Sequence, residues 1–248
     1  MNTDSGKELW SRIGSDEAYF GVVTLDEFQA GKLDANARSK FFESGEEHLS
    51  SIWPQLEKLN GGPLTPRRSL DYGCGVGRVL LPLAKRSHSS VGIDISESML
   101  EECRRNLAAE DIGSVTLIEA GEFMAMGAGA YDLVHSFIVM QHIEPKIGLG
   151  IIRKLVDGLE PKGFGVIHAT YRDRSGSMVK MRNRIYRTFP GLHRAVSGML
   201  GRSGHFMPMY EYDRAAITQI LEAAGCEIGA EIETDHGFAG SMFIFRKG

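Results

Sequence analysis

The chain reads as an α/β protein: a seven-stranded, mostly parallel sheet with helices on both faces. Three observations predict this. Short apolar runs alternate with amphipathic stretches between about residues 68 and 169, an order that aligns strands in parallel and lays helices across both faces. A glycine-rich turn, Gly73-Cys74-Gly75-Val76-Gly77, separates the first run from the apolar Val79-Leu80-Leu81. The second run, Val91-Gly92-Ile93-Asp94, ends on an acid 17 residues beyond Gly77.

The elements follow in order. Strand one spans about 68–72 and its helix 77–86; strand two spans 90–94 and its helix 97–109. Strand three falls at about 114–119, strand four at 131–136, a helix at 145–159 and strand five at 163–169. A helix over 213–224 and strands at about 226–233 and 239–246 complete the set. Upstream, Phe41, Leu49, Ile52, Trp53, Leu56 and Leu59 recur at helical spacing, and Asn60-Gly61-Gly62-Pro63 closes that helix. Phe41 and Phe42 are expected to pack on the sheet; Phe41-Phe42-Glu43-Ser44-Gly45 as a segment is placed to lie over a ligand. Ala18-Tyr19-Phe20 and Leu25-Asp26-Glu27-Phe28 read as a partly mobile arm. The expected organisation is an N-terminal helical arm over 1–65, a core over 66–170 and 211–248, and an insertion over 171–210.

Ligands of such sheets bind beyond the carboxyl ends of the strands, where chain direction reverses. Glycine in the first turn permits positive φ and close approach of backbone to ligand. The helix after it presents free N–H groups. Asp94, at the tip of strand two, is placed to accept hydrogen bonds from a ribose diol. A dinucleotide fingerprint requires a third glycine where Arg78 stands, which disfavours a dehydrogenase.

Leu70–Arg78 and Val91–Ser96 together resemble motifs I and II of the class I S-adenosylmethionine-dependent methyltransferases. Ala120-Gly121-Glu122-Phe123, Tyr131–Ser136 and Leu159–Ile167 match that family's later segments in order, so the resemblance covers roughly 66–170. It implies a Rossmann-like core that binds S-adenosyl-L-methionine and releases S-adenosyl-L-homocysteine. By the same resemblance, Asp71 buttresses the loop, and cofactor contacts fall at Gly73, Cys74, Gly75, Gly77, Asp94, Ile95, Met99, Gly121, Glu122, Phe123, Ser136 and Phe137. Two positions depart from the family: Lys162 replaces a glycine before strand five, and Glu122 stands where aspartate is more usual. Cys74 also reads simply as a small side chain packed under the turn.

The implied chemistry is in-line methyl transfer, driven mainly by alignment and desolvation. An oxygen or nitrogen acceptor needs a base. The candidates are His142, His168 and Tyr171, with His135 and His205 weaker; His135 falls mid-strand and is expected in or near the core. A structural histidine bonded to backbone is the competing reading of His142. No Asp-Pro-Pro-Tyr-like motif or cysteine follows strand four, which disfavours amino-methylating DNA enzymes and cytosine-C5 chemistry. Strand five lacks the acids of the metal-dependent catechol enzymes.

Residues 171–210 carry eight basic residues against one acid, a local charge of +7 in a chain of net charge −4. Met178, Met181, Ile185, Phe189, Leu192, Val196, Met199 and Leu200 keep helical spacing, and Pro190-Gly191 splits the segment. This predicts a helical cap over the acceptor site, with cations for an anionic, small-molecule or lipid-linked acceptor, or contact with a membrane interface. Solvated surface charge is the competing reading. A non-catalytic S-adenosylmethionine-binding regulator and an RNA methyltransferase are the alternatives; few aromatics stand in the basic segment, so nucleic acid is disfavoured. At 248 residues and 42% hydrophobic, the chain has material for one large domain. No run of about eighteen apolar residues occurs, so no membrane span is expected. The first residues lack a leader pattern, and Cys74, Cys103 and Cys226 lack metal-ligand spacing, which suits a cytoplasmic protein without a metal.

Overall fold

The computed structural model describes residues 3–126, 130–174, 176–188, 193, 196, 206–235 and 238–248. Seven strands, β1 (Arg68–Tyr72), β2 (Ser89–Asp94), β3 (Val115–Glu119), β4 (Tyr131–Ser136), β5 (Leu159–Asp173), β6 (Cys226–Asp235) and β7 (Phe238–Lys247), form one sheet in the order 3-2-1-4-5-7-6. β1 to β5 run parallel; β7 lies antiparallel to both β5 and β6. The order reverses between β1 and β4, and a crevice opens there at the strands' carboxyl ends.

Helices cover both faces. On one lie α3 (Ala35–Asn60), α4 (Leu80–Lys85) and α5 (Glu97–Ala109); on the other lie α6 (Ala120–Ala125), α7 (Pro145–Asp157) and α9 (Arg214–Ala223). Side-chain alternation along the strands sorts the core. Leu133, Val166 and Ile244 pack against Leu49, Ile52 and Leu56 of α3, while Val134, Ile167 and Phe245 pack against Ile152, Leu155 and Leu221. α3 starts at Asp34, whose side chain accepts from the Ala37 amide at 2.8 Å, and ends at Gly61 in the left-handed conformation. α5 is capped by Ser96 and buries Met99, Leu100, Cys103 and Leu107 on one stripe.

Three expectations change. The N-terminal residues pack as helices α1 (Thr3–Asp16) and α2 (Ala18–Val22) rather than forming a mobile arm. Ile13, Tyr19 and Phe28 join Phe41 in a buried cluster, and the Tyr19 hydroxyl donates to Glu102 at 2.7 Å. Burial of these apolar groups offsets the entropy of ordering the segment. β5 is longer at both ends than 163–169, so residues 171–173 continue the sheet opposite β7. Lys162 supplies the positive φ (68°) that its turn requires, where a glycine was expected. A short helix, α6, follows directly on β3.

Beyond β5, α8 (Ser177–Thr188) begins the basic insertion. Pro190-Gly191, Phe189, Leu192, Arg194, Met199, Leu200, Arg202 and His205 lie outside the described residues. No described helix is long and apolar enough to cross a membrane, and no cluster of metal-ligating side chains occurs among the described residues.

Candidate active site

A cavity of about 620 Å³ opens at the crevice between β1, β2 and β4. α1 and α2 roof it with Gly6, Lys7, Trp10, Gly21 and Val22; the loops after β1 to β4 form its floor. A second cavity, of about 740 Å³, lies away from the strand ends between α3, α4 and α5. It is edged by surface charges such as Lys85 and Glu110, which pair at 2.8 Å, so it offers no comparable constellation.

The glycine loop builds the cavity floor. Gly73 (φ 76°) and Gly75 (φ 53°) both adopt left-handed backbone. A Cβ on Gly73 would collide with the Val139 side chain, and one on Gly75 would sit 2.8 Å from Cγ2 of Val22. Asp94 braces the loop: Oδ2 accepts from the Gly75 amide and Oδ1 from the Ser96 amide, each at 2.9 Å. Burial pushes its carboxyl up to about 6, although backbone donors pull the other way. The cradle and this acid fit a nucleoside whose diol faces Asp94.

The far wall is apolar. Phe137, Ile138, Val139, Ile143, Ile147 and Ile151 line it. Ile138 holds φ at 62°, a strained conformation for a β-branched residue, just past the end of β4. His142 ends the short 3-10 turn Met140–His142 and also lines the cavity. Its Nδ1–H donates to the Pro208 carbonyl at 3.0 Å, which leaves the lone pair on Nε2; Gln141 Nε2–H donates there at 3.1 Å. Burial holds the imidazole down at about 4, so it is neutral near pH 7. Trp10 meets its ring edge-on, with centroids 5.2 Å apart. The returning chain is pinned nearby by Tyr210 N–H to the Gln141 carbonyl (2.7 Å) and Tyr212 hydroxyl to the Ile143 carbonyl (2.9 Å).

Of the residues expected at the cofactor, Gly73, Gly75, Asp94, Ile95, Met99, Gly121 and Phe137 line the cavity. Others lie behind it. Asp71 is buried beneath the loop, where Oδ1 accepts from Nδ1 of His135 at 2.7 Å; His135 Nε2 in turn meets Nε2 of His48 at 3.0 Å. Cys74 and Gly77 pack against α4 and α5. The Ser136 hydroxyl donates to the Tyr72 carbonyl at 3.0 Å. Glu122 is exposed, and Phe123 is buried against Tyr72. The reason is helical rotation: at about 100° per residue, Ala120, Gly121 and Met124 of α6 face the cavity and Glu122 turns away. Glu119 takes the place beside the cavity instead, paired with Lys7 at 2.8 Å.

His168 and Tyr171 are not among the described cavity residues. His168 shares a strand face with Val166, is fully buried toward α3, and meets Thr234 Oγ1 at 2.9 Å. The Tyr171 hydroxyl bonds Ser241 at 3.4 Å. Sequence reading placed Val139 and Ile143 beside the cofactor with His142, by resemblance, but missed Lys7, Trp10, Val22, Tyr72, Arg78, Ile138, Ile147 and Ile151. Only Tyr72, directly before the loop, carried a local signal.

A family model described as a methyltransferase domain matches residues 70–163. The chain is 29% identical over 108 residues to a carboxy-S-adenosyl-L-methionine synthase of Shewanella piezotolerans, a match covering 42% of this chain and 44% of that protein. It is 33% identical over 146 residues to an ajmaline N-methyltransferase of Rauvolfia serpentina, covering 58% and 48%. The chain thus spans about half the length of these curated relatives. A crystal structure of magnesium protoporphyrin IX methyltransferase from Synechocystis PCC 6803 with bound S-adenosylhomocysteine covers 100% of both chains with TM-score 0.66 at 19% identity, a likeness of fold. Residues 70–163 thus match a methyltransferase domain that takes in the glycine loop, Asp94 and the reversal of strand order, and in these features the chain is similar to the class I S-adenosylmethionine-dependent methyltransferases.

Proposed function

We propose that this protein binds S-adenosyl-L-methionine and methylates an oxygen or nitrogen of a small, anionic, partly apolar acceptor. The observation that carries the reading is one cavity with two unlike ends. Asp94 and the glycine cradle suit the nucleoside; an apolar wall holding a neutral histidine suits an acceptor. When bound, the cofactor supplies a methyl group already activated on a sulfonium.

The chain's own part is alignment, exclusion of water and proton removal. Ile138, Val139, Ile143 and Ile147 keep water from the acceptor. Pro208 keeps Nδ1 protonated, so His142 takes the acceptor's proton at Nε2 once the acceptor displaces the Gln141 amide from that lone pair. The roof of α1 and α2 brings Trp10 against that imidazole and holds its plane.

The anionic, amphipathic character of the acceptor is read from α8. Met178, Met181 and Ile185 are 87%, 60% and 40% exposed at three- and four-residue spacing. Lys180, Arg182 and Arg184 are exposed beside them and form no ion pair among the described residues. Such a surface suits a lipid-linked acceptor presented at an anionic interface.

The test supplies a radiolabelled methyl donor with small-molecule and lipid fractions of cell extract. Wild type should label an anionic product, and His142→Phe should lose about a hundredfold or more in rate while binding S-adenosylhomocysteine normally. Normal binding with no labelled product would favour a non-catalytic cofactor-binding protein. Glu substitutions at Lys180, Arg182 and Arg184 should weaken binding to vesicles of anionic lipid and leave cofactor affinity unchanged.

A further inference from the structure

Gln141 and His142 are neighbours in the 3-10 turn Met140–His142, but only His142 is among the described cavity residues. Gln141 is 5% exposed. Its backbone is fixed, because its carbonyl accepts from the Tyr210 N–H at 2.7 Å. Its side chain is held at one end alone. Nε2–H donates to His142 Nε2 at 3.1 Å, while Oε1 is buried with no hydrogen-bond partner among the described residues.

A buried amide usually satisfies both its ends. Here a single bond holds the carboxamide. Half a turn about its terminal bond exchanges oxygen and nitrogen with almost no change of shape and leaves one end idle as before. The proton on His142 selects between the two orientations. Pro208 occupies Nδ1–H, so the neutral ring offers a lone pair at Nε2 and takes the amide N–H. An imidazolium offers an N–H at the same place, which repels the amide N–H and matches the amide oxygen. That second bond is charge-assisted and the stronger of the two.

No charged side chain shifts this imidazole; burial holds it at about 4, against the pull of the Pro208 carbonyl. The titratable groups bonded to the turn are Tyr210 and Tyr212. The charged groups lining the shared cavity are Lys7, Arg78, Asp94, Glu119 and Glu144. We infer that Gln141 is a positioning residue that follows the proton on His142: its amide turns as Nε2 becomes protonated, and Oε1 then holds the imidazolium N–H. The inference rests on the role of His142 proposed above. In that reaction the acceptor's proton passes to Nε2, an electron pair of the acceptor atom forms the bond to the methyl carbon, and the pair of the broken S–C bond stays on sulfur. The turned amide draws the N–H away from the methylated product, and the proton leaves to water once the product departs.

Histidine NMR of the intact protein tests it. The His142 Cε1–H signal, assigned by its absence from His142→Phe, is followed through an acid titration of wild type, Gln141→Met and Gln141→Glu. Methionine keeps the length of the side chain and removes both ends of the amide. If the amide turns, its loss takes more from the imidazolium than from the neutral ring, and His142 of Gln141→Met should titrate at lower pH than in wild type. A fixed amide would oppose protonation through its N–H, and its loss would move the titration to higher pH. Glutamate presents oxygen alone, so Gln141→Glu should hold the His142 proton at least about tenfold more tightly than wild type. A titration of Gln141→Met at or above the wild-type pH, or no tightening in Gln141→Glu, would overturn the inference. If wild type unfolds in acid before His142 titrates, Gln141→Glu decides; if Gln141→Glu does not fold by circular dichroism, Gln141→Met decides. Full-rate labelling of cell-extract acceptors by His142→Phe would remove the base assignment, and the role of Gln141 with it, whichever way the amide turns.

Discussion

Asp94 Oδ2 accepts the Gly75 amide at 2.9 Å, so the tip of β2 holds the glycine loop in the shape its ligand meets. The same carboxylate faces the cavity. Asp94→Ala should therefore lose both the brace and the ribose contact, each a charge-assisted hydrogen bond worth about 1.5–3 kcal/mol. The expected result is at least about a tenfold loss of S-adenosylhomocysteine affinity by calorimetry.

The raised pKa of Asp94, about 6 against an ordinary 3.8, links this brace to pH. The folded apoprotein holds the proton more tightly than the unfolded chain. Its contribution to stability is thus present at low pH and is lost as pH rises from about 4 through about 6. Cofactor binding has the opposite sign, because the ribose contact uses the ionised carboxylate. Affinity should be full above about pH 6 and fall by up to about tenfold per unit below it. Asp94→Asn should flatten the curve. His142, held near 4, should add no step to kcat between pH 5 and 8.

Gly75 has φ of 53°, and a Cβ there would lie 2.8 Å from Val22 in the roof. Gly75→Val combines left-handed strain of about 1–2 kcal/mol with displacement of α2. Binding of S-adenosylhomocysteine should be abolished while the far-ultraviolet circular dichroism remains native. A variant that binds normally would place the cofactor elsewhere.

The Asp71–His135 contact at 2.7 Å is almost wholly buried, with side chains 4% and 2% exposed. Removing one partner strands a polar or charged group in the core. His135→Ala should lower stability by about 3–5 kcal/mol. His48→Ala should cost less, because His48 is only half-buried. Chemical denaturation checks both, and equal losses would show that the chain of three acts as one unit.

Some of this molecule was legible residue by residue. The alternation of strand and helix sets the parallel order, because each apolar period is local and each face must be covered. The left-handed turns at Gly73 and Gly75 and the acid closing β2 are likewise properties of contiguous residues. What the cavity contains was decided by tertiary structure. Glu119 rather than Glu122 faces it because α6 starts immediately after β3 and turns the later acid to solvent. His168 faces α3 because strand alternation puts it with Val166. Trp10 and Arg78 reach the ligand space, and His142 acquires its tautomer from Pro208, through contacts between residues far apart in the chain. Periodicity says which side of an element is apolar; only the packed arrangement says which polar group meets the ligand.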